Sequence, residues 1–161
     1  MIKEWGPHIW DFLHTFCERI DEKQLIMNKN SIYEFLMRIL CNLPCPECSF
    51  HARQYFLKFN FNNLKNKNQL IEIFFNFHND VSSRIHNKNP NFKKADIEIL
   101  NKYKNTNIKK SFNKYYVEWT KASNIKNIVA MTSSFSRNIF IENSIKWMKS
   151  NLHLFEQDAV I

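Results

Sequence analysis

Glycine is almost missing from this sequence, with one in 161 residues, and proline occurs only four times. So little turn chemistry excludes a β-sandwich or barrel, whose many reversals need both residues, and points to helices. No run of 18 apolar residues occurs, so nothing in it reads as a membrane span. The opening MIKEWGPHIW lacks the apolar stretch of a secretory signal, and the expected location is therefore cytoplasmic. Cysteine is also scarce. Four thiols, Cys17, Cys41, Cys45 and Cys48, in a chain without a signal do not make a secreted disulfide scaffold.

Aromatic side chains are plentiful, with 15 Phe, enough to fill the core of one domain. Basic groups exceed acidic ones by eight, and unevenly. Residues 1–60 are balanced at seven against seven, so the whole excess falls in 61–161. Such a half could attract nucleic acid or an anionic partner. Equally, interspersed Lys and Asn make an ordinary solvated surface.

Helical spacing recurs along the chain. Trp10, Leu13, Cys17 and Ile20 form the apolar stripe of a first helix, beginning near Trp5 or Gly6. A second is expected to open at Ser31, with Glu34 completing a capping box, and to stop near Leu43 ahead of Pro44. Pro46 suits a first helical position, which makes Cys45 the N-cap of a third helix. Leu70, Ile73, Phe74, Phe77, Val81 and Ile85 give a fourth, ending by Pro90, and a short fifth is expected from about Lys93 to Tyr103. The resulting fold class is all-α: a four-helix bundle plus a short fifth helix over residues 1–104. Residues 105–161 then form a basic, helical C-terminal extension of one or two helices, expected to be dispensable for chemistry.

The stretch LPCPECSFH can be read in three ways. As zinc ligands, Cys45, Cys48 and His51 crowd one helical turn, and no second ligand pair follows downstream, so the expected metal is none. As core thiols, Cys17 and Cys41 fit an apolar stripe, but a Pro-flanked N-cap fits badly. As a redox pair, a thiol at a helix N-terminus meets free N–H groups and the positive end of the dipole, which favour thiolate. The second cysteine of a CxxC can then resolve a mixed disulfide made by the first. Downstream, FHNDVSSRIHNKNP places His78, Asn79 and Ser82 inside an apolar helix, where polar groups need partners. A dinucleotide cofactor would supply them, with rings to stack on, hydroxyls to bond and a pyrophosphate to pair.

Taken together, WGPHIWDFLHTF, CPECSFH and FHNDVSSRI resemble, in order and spacing, the motifs of the Erv/ALR family of FAD-dependent sulfhydryl oxidases. The resemblance covers about residues 5 to 90, perhaps reaching Tyr103. It implies oxidation of protein dithiols to disulfides through a CxxC pair and FAD, with oxygen reduced to hydrogen peroxide. Cys45 and Cys48 would be the catalytic pair. Gly6, Trp10, His14, His51, His78, Asn79, Val81, Ser82 and Lys88 would bind FAD. A homodimer is implied too.

The chain departs from the family pattern at Ser82, where a second Asn is usual, and in the displaced Lys88 and Pro90. It also lacks the cysteine pair that closes the fifth helix, and a separate shuttle CxxC. The form without a shuttle is most similar to those of large cytoplasmic DNA viruses, which implies host cytoplasm and virion as locations. The alternative is a basic zinc-bearing or nucleic-acid-binding interaction module without enzymatic activity, for which the three motif blocks would be coincidence.

Overall fold

The computed structural model describes residues 2–85, 97–126 and 134–157. All named elements among them are helical. Helix α1 runs Ile2–Arg19, α2 Glu22–Met27, α3 Lys29–Leu40, α4 Pro46–Phe56 and α5 Lys67–Ile85. A 3-10 helix Ile97–Asn105 leads to α6, Ile108–Lys126, and α7 spans Ser134–Asn151.

Helix α1 is the spine because apolar residues occur almost all round it. Phe12, Leu13, Phe16, Cys17 and Ile20 are all buried. It packs against α5 and the 3-10 helix, and also against α6. Phe35, Leu36, Ile39 and Leu40 of α3, Phe56 of α4 and Phe74 of α5 complete one continuous core.

Two local expectations need correction. The helix containing Ser31 starts three residues earlier, with Asn28 and not Ser31 at the N-cap position, and no side chain caps it. Ser31 is instead used in tertiary structure: its Oγ accepts a hydrogen bond from Trp147 Nε1 at 3.0 Å. A one-turn helix that the periodicity did not reveal, α2, precedes it, capped by Asp21, whose carboxylate accepts from Gln24 N at 2.9 Å. The expected fifth helix is a 3-10 helix where it is described, and its expected first residues, 93–96, lie outside the described residues.

Residues beyond 107 are built into the same core. Tyr115 of α6 stacks on Phe12 with centroids 5.3 Å apart, and Trp147 of α7 stacks on Phe35 at 3.9 Å. Each such pair adds about 0.5–1.5 kcal/mol beyond its burial. The end of the chain is stitched to the end of α1. Asp21 N donates to Leu154 O, Glu156 N to Arg19 O, and Arg19 Nη2 to Glu156 O at 2.7 Å. Trp119 and Phe140 of this part of the chain are buried in the core, and Trp147 packs against it.

Candidate active site

Between α1, the start of α4 and the end of α5 lies a cavity of about 270 Å³. Its walls include Trp5, Trp10, Leu13, Leu40, Leu43, Phe77 and Val81, with Cys45, Cys48 and His51 at one side and Glu47, Arg84 and Ile85 also lining it. The lone glycine of the chain, Gly6, is part of this wall. It sits within α1 and has no positive φ, so conformational freedom is not what it contributes. Glycine inside a helix costs about 1 kcal/mol against alanine. What the position gains is space, since a Cβ on that wall would enter the cavity.

Cys45 and Cys48 are joined as a disulfide. Cys45 is the N-cap of α4 with Pro46 first in the helix, as the sequence pattern indicates, and its Sγ accepts from Cys48 N at 3.2 Å. The loop before it is held by Ser49, whose Oγ accepts from Leu43 N at 2.9 Å. The fold thus fixes the pair against the cavity while Pro46 and Glu47 stay exposed. Cys17 and Cys41 are free thiols, and burial pushes the Cys17 thiol up.

His51 stands one helical turn after Cys48, and its Nε2 is 2.7 Å from Asp80 Oδ2 on α5. Sequence reasoning missed Asp80. It lies inside the FHNDVSSRI block, two residues after His78, but nothing in a one-dimensional pattern pairs it with a residue 29 positions away. Arg84 was legible only as a letter of that block.

The other expected residues group differently. Gly6, Trp10, His51 and Val81 line the cavity, whereas His14, His78, Asn79 and Ser82 do not. His78 lies against Trp10, with ring centroids 4.1 Å apart and planes within 8°. Its Nδ1 shares a 2.9 Å hydrogen bond with Nε2 of the buried His14. Burial, with the charges of His78 and Lys102, lowers His14 to about 3. Burial and Lys102 lower His78 to about 4. Both rings are neutral near pH 7, so one donates and the other accepts. They brace Trp10 from behind the cavity wall. Asn79 is buried, Ser82 is half-buried, and Lys88 lies outside the described residues.

A disulfide bordering an apolar, ring-lined cavity can do dithiol–disulfide exchange on one side and meet a flat electron acceptor on the other. With both sulfurs bonded to each other, neither is free to ligate zinc. Among the described residues no group of three or more His, Cys, Asp or Glu is arranged for a metal ion. No helix among them is long and apolar enough to cross a membrane.

Comparison with known proteins agrees with this geometry. The Erv1 / Alr family model matches residues 7–104. A protein of Invertebrate iridescent virus 3 named as a FAD-linked sulfhydryl oxidase, 096R, is 31% identical over 84 residues, 52% of this chain and 57% of that protein. The chain thus matches a little over half the length of that relative. No solved structure matches.

Proposed function

This chain belongs to the Erv1 / Alr family, and from that premise we propose that it is a FAD-dependent sulfhydryl oxidase. It joins protein dithiols as disulfides, using oxygen as the final acceptor and releasing hydrogen peroxide. The observation that carries the reading is one cavity that has the Cys45–Cys48 disulfide on its side and the chain's lone glycine on its wall. The name of the viral relative supports the cofactor.

The residues fit a flavin. Ligand pockets run from about 300 to 1,000 Å³, so 270 Å³ takes a flat ring system and leaves the rest of a dinucleotide outside. Gly6, Trp10, Phe77 and Val81 would hold the ring. Exposed Arg84 offers positive charge to the diphosphate, and Asn79, Ser82 and Lys88 are assigned to the remainder of the cofactor. His14 and His78 serve by bracing Trp10. Bound there, FAD supplies two-electron acceptance from a thiolate and reoxidation by oxygen.

The chain's own part is thiol exchange. A substrate thiolate attacks Cys45 Sγ, the Cys45–Cys48 bond breaks, and its electron pair leaves on Cys48. The second substrate thiol then displaces Cys45, whose thiolate is stabilised by Cys48 N–H and the helix end. Cys48, one turn inside α4, is the thiol assigned to reduce the cofactor. Homodimer formation and a place in host cytoplasm or virion belong to the same proposal, on the family resemblance and the viral relative. So does the division into an oxidase part, 1–104, supported by where the family match ends, and a basic extension, 105–161, which completes the same core and is not a domain apart. The direct experiment is purification with and without added FAD, followed by oxygen uptake on a small dithiol. Stoichiometric flavin and Cys48-dependent uptake are expected, and folded protein that neither binds FAD nor consumes oxygen would refute the proposal.

A further inference from the structure

In one turnover the two cysteines leave in turn, Cys48 first and Cys45 second, and a backbone N–H stabilises the charge on Cys45. The backbone N–H at the start of α4 points to Cys45. Cys48 is the third residue of the helix, and its own N–H is the one spent on Cys45. The ionisable groups that line the cavity with it are Glu47, His51 and Arg84. Glu47 would repel a thiolate, and Arg84 belongs to another helix. His51 is three residues beyond Cys48 on α4, a spacing that makes the two neighbours on one helix face.

We propose that His51, held by Asp80, is the proton-handling partner of Cys48, forming an imidazolium–thiolate pair when the disulfide opens. A carboxylate only accepts, so the 2.7 Å contact fixes Nε2–H toward Asp80 Oδ2 and leaves Nδ1 as the nitrogen that exchanges a proton. The incoming substrate thiol gives its proton to Nδ1. Its sulfur bonds Cys45 Sγ, and the electrons of the broken Cys45–Cys48 bond stay on Cys48 Sγ. Positive and negative charge thus arise together, side by side. When the second substrate thiol closes the product disulfide, Cys45 leaves with one electron pair and takes up that thiol's proton. The substrate has lost two electrons and two protons, and the cysteine pair holds both electrons.

The surrounding charges permit this. From α5, Asp80 and Arg84 face the site, and from α4, Glu47 and Tyr55. Burial and the Asp80 carboxylate push the Tyr55 hydroxyl up, so it stays neutral. Helix α1 lines the cavity with no charged side chain, and the His14–His78 pair behind it is neutral. Asp80 acts through His51 and is a positioning residue.

The inference rests on the Cys45–Cys48 pair being the redox centre, and the test separates the two. In reduced Cys45→Ser protein, the rate of Cys48 alkylation by iodoacetamide, located by peptide mass, is followed from about pH 5 to 9, a range spanning the histidine and thiol pKa values. The midpoint should fall below the ordinary thiol value of about 8.5. Asp80→Asn should raise it, and a midpoint higher by about one pH unit cuts the rate at pH 7 roughly tenfold. Asp80→Glu should restore it, and His51→Gln should lose at least as much as Asp80→Asn. Profiles of Asp80→Asn and His51→Gln that superimpose on the parent overturn the inference. Undiminished dithiol turnover in Cys48→Ser overturns the underlying redox reading instead, whatever the alkylation profile.

Discussion

The two sides of α1 are built to opposite specifications. Toward α6 it is packed with rings: Phe12 meets Phe112 edge-on and stacks on Tyr115. Toward α4 and α5 it is incomplete, with a glycine on the wall, a histidine pair of which His14 is buried and His78 half-buried, and a cavity bordered by a disulfide. The filled side supplies the stability that an unfilled, partly polar side gives up. Motif chemistry is concentrated on the second side, and simple packing on the first.

Substitutions should therefore sort by side. The largest functional effects belong to Cys45→Ser and Cys48→Ser, each expected to abolish nearly all dithiol turnover while leaving a folded protein. Cys48→Ser should also trap substrate on Cys45 as a mixed disulfide, seen by mass spectrometry, because no resolving thiol remains. Substrate trapped in Cys45→Ser instead would reverse the two roles. The largest structural effect belongs to the other side. A chain ending at Lys104 would expose Phe12, Phe16 and Phe35, and should lose its cooperative thermal transition. If it folds and keeps its flavin, the filled side is an accessory after all.

How much of this was legible in the sequence follows the same division. Cys45 as N-cap could be read because Pro46 and the CxxC spacing are local, and backbone geometry answers to local sequence. Asp80 could not, because its partner His51 sits on another helix. The capping box at Ser31 failed because the hydroxyl has a tertiary use, accepting from Trp147. Burial of α6 and α7 was hidden by serines within their apolar stripes. Ser111 and Ser123 are buried along α6 with Phe112, Tyr115 and Trp119, and Ser144 lies between Phe140 and Met148. The Ser144 hydroxyl donates to Phe140 O at 2.9 Å, which lets a polar side chain sit there at little cost.

Smaller effects sharpen the contrast. Phe112→Ala on the filled side should lower unfolding free energy by about 3–5 kcal/mol in urea titrations, with flavin affinity in the folded protein unchanged. Gly6→Val on the other should weaken FAD binding at least about tenfold, or 1.4 kcal/mol, with a smaller change in stability. If Gly6→Val retains flavin fully, the glycine does not make room for the ring.

The smallest effect expected is one of pH. His14 and His78 titrate at about 3 and about 4 in the fold, below the unfolded value of about 6.5. Neutral rings are favoured by folding, so their contribution is complete above about pH 6.5 and declines as pH falls through the window down to about 4 and 3. Denaturant midpoints should drop in that range, and His78→Phe should flatten the drop. An unchanged slope in that variant would mean that the pair is not the acid-sensitive element.

The central claim is that the incomplete side of α1 couples a disulfide to a flavin. Anaerobic titration of the purified protein with a small dithiol tests it most directly. The account predicts yellow protein whose flavin absorbance bleaches with one equivalent beyond that needed to open the disulfide, returns on admitting air, and stays unbleached in Cys48→Ser. Flavin that bleaches equally well without Cys48, or a folded protein that takes up no flavin at all, would contradict it.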